Sequence, residues 1–218
     1  MLRYQLRGGG SPRRTHIQLL LRTRSSSGTL LSMTSRGANE YIILEIIDGH
    51  LLVRANLGDG AHSLRLASQR VDGGQWVLAS LHRHDNLFTL RLEKGGGSRE
   101  ARAWLGNRRE IVVHPSSVLL GNGPTPGQSA DFQGCLRDVR LNGHSLLLDG
   151  QSTEFSTVLE RRGVTSGCHS DACSAKPCLS PLYCVDLWRN HQCRCVRLAT
   201  HTFKHTHTIL HIRTHRHS

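Results

Sequence analysis

The sequence has no long apolar run, no helical stripe and no cysteine before position 135. Each absence removes a class of protein. No stretch approaches the 18 uninterrupted apolar residues of a membrane span, and the best candidate, Tyr41 to Ile47, is broken by Glu45. The opening residues Met1-Leu2-Arg3-Tyr4-Gln5-Leu6-Arg7-Gly8 lack an apolar h-region, so no signal peptide is expected in them. The 22 glycines have no collagen period, and 37% hydrophobic residues is too many for a wholly disordered chain. Nothing fits the phosphate cradle GxxxxGK[ST], the G-x-S-x-G elbow or the H-E-x-x-H zinc motif. An enzyme is therefore not expected.

Acidic residues are also scarce, 16 against 28 Lys and Arg, for a net charge of +12. Residues 1–168 carry 21 basic and 14 acidic side chains, while the last 23 residues carry four basic and no acidic ones. A nucleic-acid reader concentrates charge on a basic helix or an aromatic-studded sheet, and neither is present. The arginines instead alternate with apolar residues, the pattern of a solvated strand face. No nucleic-acid partner is expected. A weaker polyanion-binding surface remains open, with Arg13, Arg14, Arg108 and Arg109 as its candidates.

What the chain does have is late, dense cysteine: five of its seven fall between Cys173 and Cys195. Such density suggests a disulfide scaffold in an oxidising compartment. Intervals of four, five, eight and one residue do not suit the paired C-x2-C units of structural zinc. An odd count leaves one thiol over.

Residues 1–167 read as short strands and turns throughout, and the triglycines at 8–10 and 95–97 each join two strand-like runs as loop tips. Tyr41–Ile47 is β-branched, and Asp48-Gly49 joins it to His50–Arg54, the signature of a tight hairpin. Further strands are expected at 17–21, 28–33, 63–66, 75–82, 87–93, 99–104, 110–113, 117–120 and 135–141. About ten short strands at this spacing predict an all-β antiparallel sandwich. Histidines before position 196 are scattered singly. His82-Arg83-His84 comes nearest to a cluster and reads as a solvated hairpin end.

Three ordered segments resemble laminin G-like domains: Thr23–Leu31, with Gly28 before Leu30-Leu31; Val71-Asp72-Gly73-Gly74-Gln75-Trp76; and Phe132-Gln133-Gly134-Cys135-Leu136-Arg137-Asp138-Val139-Arg140-Leu141-Asn142-Gly143. The resemblance spans residues 1–168 and implies a jelly-roll β-sandwich in which Trp76 is a buried aromatic. Val77 departs from the His often found after that Trp. The resemblance further implies a Cys135–Cys168 disulfide, whose span of 33 residues should stabilise the fold by about 3–4 kcal/mol on loop-entropy grounds. It also implies a calcium site on the rim, which would want several oxygen ligands. Asp59 falls at the first carboxylate position, but Ile111-Val112-Val113-His114 holds no second acid or amide. The only cofactor expected is thus a weakly held calcium, and Asp59 reads better as a turn residue between Gly58 and Gly60.

Residues 169–195 resemble an EGF-like module one cysteine short. Carried over, its pairing gives Cys173–Cys184 and Cys178–Cys193, with Cys195 unpaired. The order of parts resembles the membrane-proximal region of Fat-like and other large non-classical cadherins, and more distantly neurexin-type and laminin-type proteins. The implied function is a non-enzymatic extracellular adhesion module that binds a protein or glycan without entering the membrane. The alternative is a secreted glycosaminoglycan or matrix binder. Residues 196–218, with six of the 15 histidines, fit a translated dinucleotide repeat, since Thr-His-Thr-His is the in-frame product of alternating A and C. The expectation is an unstructured tail from intron read-through, with a metal-binding tract as the other reading.

Overall fold

A computed structural model describes residues 1–8, 10–124, 130–168, 170, 172–175, 177–188 and 190–195. The expected tail at 196–218 lies outside the described residues. Strands run at β1 Leu2–Leu6, β2 Arg14–Arg22, β3 Gly28–Thr34, β4 Tyr41–Ile47, β5 His50–Asn56, β6 His62–Arg70, β7 Val77–His84, β8 Leu87–Lys94, β9 Gly97–Trp104 and β10 Val118–Leu120. There follow β11 Cys135–Leu141, β12 His144–Ser145, β13 Ser156–Arg161, a four-residue helix α1 at Ala172–Ala175, β14 Leu182–Asp186 and β15 His191–Cys195. No helix among the described residues is long and apolar enough to cross a membrane.

Two antiparallel sheets form the jelly-roll sandwich. One has the order β13-β1-β10-β3-β4-β5-β6 and the other β12-β11-β2-β7-β8-β9, while β14 and β15 make a separate hairpin. Side-chain alternation decides which face turns inward. In β5, Leu51, Val53 and Ala55 are buried, whereas His50, Leu52 and Arg54 between them are half-buried. Against these pack Ile17, Leu19 and Leu21 of β2, Val77, Ala79 and Leu81 of β7, and Phe88, Leu90 and Leu92 of β8. Each fully buried side chain of this size contributes about 1.5–3 kcal/mol. The β4–β5 turn places Asp48 at φ 50° and Gly49 at φ 75°, the left-handed pair that a two-residue hairpin loop requires.

Four features depart from the expectations above. The run 110–113 is not a strand; only Val113 pairs, in a single bridge to Ser35, because the segment is held crosswise by Ile111 N–H donating to the Pro12 carbonyl. Trp76 is not in the core. It precedes β7, is half-buried, and lies under the Arg137 guanidinium at 4.6 Å. His82-Arg83-His84 is not a solvated turn either: β7 continues through it, the turn falls at Asp85-Asn86, and Arg83 is 3% exposed. Finally, β13 was not among the expected strands; it pairs with β1, the strand-like run before the triglycine at 8–10, and closes the edge of the seven-stranded sheet.

Candidate functional site

The rim beyond the ends of β7 and β9 gathers most of the candidate residues. Its organiser is Arg83, which enters from β7 and donates to Thr15 Oγ1 (3.1 Å) and to the carbonyls of Pro12 (2.8 Å), Asp85 (2.9 Å) and Arg109 (3.1 Å). Burial pulls its pKa down to about 10, with Asp85 opposing. A buried cation holding three carbonyls ties the segment before β2 to the loop after β9. This brings Arg13, Arg14, Arg108 and Arg109 to one end of the molecule, all exposed. Arg13 is partly neutralised there by Glu110 at 3.0 Å and Asp85 at 3.5 Å.

Asp59 stands on the same rim. Its Oδ2 accepts the backbone N–H groups of Asn107 and Arg108, the latter at 3.1 Å. Those amides hold its carboxyl below the usual range; burial opposes them and His62 adds to them. Gly106, at φ 71°, has no space for a Cβ because the Asp59 carboxylate occupies it. Asp59 Oδ1 faces His62 Nε2 at 3.6 Å, and that nitrogen is buried without a hydrogen-bond partner. A carboxylate surrounded by donors clamps a loop. This donor set does not fit calcium, which needs those same oxygens together with several more.

The second assembly lies where the β14–β15 hairpin meets the sandwich. Arg22, 4% exposed at the end of β2, donates to the Gly74 carbonyl (2.8 Å) and to Asp186 Oδ1 (2.5 Å), and its guanidinium stands 5.9 Å from the Trp188 ring. Arg24 donates to the Leu187 carbonyl at 3.1 Å. Gly74 admits no Cβ, because the Leu187 carbonyl presses on it. Asp186 also accepts from Ser170 Oγ (2.7 Å) and from the Trp188 N–H (2.6 Å). Beside this junction runs a groove of about 850 Å³ whose lining includes Trp76, Arg137, Asp149, Arg161 and Trp188. Cys135 joins Cys168 across a Cα separation of 6.0 Å, Cys173 joins Cys184, Cys178 joins Cys193, and Cys195 is free and exposed. His191 lies near the Cys178–Cys193 bridge, but oxidised sulfurs offer no thiolate to a metal.

The family model of the laminin G domain matches residues 21–144. The chain belongs to the laminin G domain family. Its laminin G sandwich superposes on the LG1-3 region of the laminin alpha2 chain with a TM-score of 0.60 and 21% identity, over 72% of this chain and 33% of that one. Domains LG4-5 of the mouse laminin alpha1 chain give 0.62 and 18%, over 74% and 42%. Among curated relatives, Neural-cadherin of Drosophila melanogaster is 34% identical over 196 residues, covering 83% of this chain and 6% of that protein. Cadherin EGF LAG seven-pass G-type receptor 2 of Mus musculus is 32% identical over 187 residues, again with 83% and 6% coverage. Neurexin-2 of Homo sapiens is 26% identical over 209 residues, with 83% and 12%. The chain therefore spans about a tenth or less of the length of the relatives it matches.

Sequence reasoning found Asp59 and the four arginines but not what joins them. The links are Arg83, Gly106 and the amides of 107–108, and none carries a motif. The Arg22–Asp186 contact crosses 164 positions and has no sequence signature.

Proposed function

We propose that the chain is a non-catalytic, extracellular binding module of a large cadherin-like adhesion receptor. In this reading residues 1–168 are the laminin G-like unit and 169–195 an incomplete EGF-like module clasped to it. One observation carries the proposal. The Neural-cadherin alignment covers 83% of the chain, and residues 1–168 amount to only 77% of the 218. An alignment that reaches past residue 168 supports a shared order of modules; the Neurexin-2 alignment covers the same share of the chain, and the 34% identity to Neural-cadherin against 26% favours the cadherin type. The partner class is an extracellular protein or glycan. The test is binding of the purified chain to cell monolayers. Saturable binding abolished by surface trypsinisation and untouched by heparinase supports the reading; no saturable binding on any adherent line overturns it.

A glycosaminoglycan-binding reading is favoured by one feature, the convergence of Arg13, Arg14, Arg108 and Arg109 on a single rim. With Arg13 already paired, three free guanidiniums give weak, screened attraction. Elution from heparin below roughly 0.5 M salt is expected. Retention above that salt, lost on replacing Arg14, Arg108 and Arg109 by Ser, would make polyanion binding the main activity.

A further inference from the structure

The outer face of the six-stranded sheet carries a histidine pair that the sequence conceals. His16 on β2 and His82 on β7 are 66 positions apart in sequence but directly opposite in register. Their rings stack with centroids 3.9 Å apart and planes at 23°. His84 lies two residues beyond His82 on the same strand, so it projects from the same face one pleat away. Both strands are internal to the sheet, β2 between β11 and β7, and β7 between β2 and β8. The backbone of His16 is pinned again from the side: its N–H donates to Asn142 Oδ1 (2.8 Å) and its carbonyl accepts the Asn142 N–H (2.7 Å).

We propose that His16, His82 and His84 form a binding site for a divalent transition-metal ion of the zinc or copper type. Imidazole nitrogens suit these ions, and metal–nitrogen bonds of about 2.0–2.1 Å place two ligand nitrogens on a tetrahedral ion about 3.4 Å apart. In the stack the in-plane lone pairs run nearly parallel, so binding requires the rings to unstack by rotation of their side chains, while the strand register keeps the two backbones opposite each other. The three rings do not hold their nitrogens within 4.8 Å of one another as folded, so His84 joins as third ligand by turning its side chain toward the pair, with water in the fourth position. The stacked pair is poorly disposed to carry charge. Burial and the neighbouring His82 lower the pKa of His16; burial and Arg91 lower that of His82, against the pull of Glu100. The other charged groups on this face are Arg14, paired in register with His84, Arg140 next to Gln18, Arg137 next to Leu20, and Arg91, Glu93, Glu100 and Arg102 on the strands beyond. Arg91 is engaged by Glu93 (3.0 Å) and Arg102 by Glu100 (2.5 Å).

The test must silence the other ligands while keeping the whole chain. The parent is the 218-residue chain with the six histidines from His201 to His217 replaced by Gln and Cys195 replaced by Ser. Calorimetric titration with ZnCl2 at pH 7.5 should show one saturable site per chain. Either His16→Gln or His82→Gln should weaken it at least tenfold, and His84→Gln severalfold. Unchanged circular dichroism and melting of the metal-free variants would separate lost ligation from lost folding. Residue-resolved carbethoxylation gives a second readout, with His16 and His82 protected by Zn2+ and His50 not. The proposal is overturned if the parent binds no zinc at 100 µM, or if binding survives His16→Gln and His82→Gln together.

Discussion

Replacing Asp186 by Ala should release the cysteine-rich hairpin from the sandwich without unfolding either. Arg22 is 4% exposed, so its charge depends on the carboxylate 2.5 Å away; Trp188 N–H and Ser170 O–H lose the same acceptor. Removing one partner of a fully buried pair costs about 3–5 kcal/mol. Asp186 is 34% exposed, and water can reach the vacated space, so the cost falls to about 2 kcal/mol. Arg22→Leu should cost less, about 1 kcal/mol, because the released carboxylate resolvates while leucine still packs. A local opening of 2 kcal/mol corresponds to about 30-fold faster amide exchange. Hydrogen exchange by mass spectrometry should show that acceleration in 182–195, with the amides of β7 and β8 unchanged. Acid should do the same. Burial pushes the Asp186 pKa up, but the hydrogen bonds from Arg22, Ser170 and the Trp188 N–H, with the Arg22 charge, outweigh it and leave the value lowered. A depressed folded pKa gives stability that is complete above the unfolded value, near 3.9, and lost as pH falls through the folded one. The junction should therefore stay closed at pH 5 and begin to loosen only as pH falls below about 4. Exchange in 182–195 within twofold of the parent after Asp186→Ala would refute the clamp.

Three further outcomes are expected. Replacing Cys135 and Cys168 together by Ala should lower unfolding stability by about 3–4 kcal/mol, as their 33-residue separation dictates, measured by urea denaturation at unchanged fluorescence end points; a loss under 1 kcal/mol would contradict the loop-entropy argument. Arg83→Met should cost about 3 kcal/mol by stripping the donor from three carbonyls, with amide protection lost first in 10–14 and 106–112; uniform destabilisation without that local signature would remove Arg83 from its organising role. Millimolar calcium should leave the melting temperature unchanged, since Asp59 is committed to amides; a calcium-dependent rise abolished by Asp59→Asn would reinstate the rim as a calcium site.

The fold was legible where a local pattern and a turn signal coincided. Tyr41–Ile47, Asp48-Gly49 and His50–Arg54 read as a hairpin from residue types alone, and the Phe132–Gly143 segment carried the family. β13 was illegible because its six residues gain their meaning from β1, at the far end of the sequence. Arg83 was misread because a basic residue between two histidines looks solvated, and only the carbonyls it meets after folding compensate its burial. Trp76 misled in the other direction. The family resemblance implied a buried aromatic at this position, while the structure uses its face to carry Arg137. The His16–His82 pair depended on strand register, which a single sequence does not display.

The pairing of β1 with β13 sets how the module responds to force. Leu2 lies opposite Arg161, and the backbones of Met1 and Arg162 hydrogen-bond to each other, so the two ends of the sandwich emerge side by side. Tension between residues 1 and 162 would peel β1 from β13 one rung at a time, the weak direction for a sheet. Tension applied beyond Cys168 takes another route. The Cys135–Cys168 bond delivers it covalently to β11, inside the opposite sheet, and β13 becomes slack. The disulfide thereby converts an unzipping edge into a load carried across both layers.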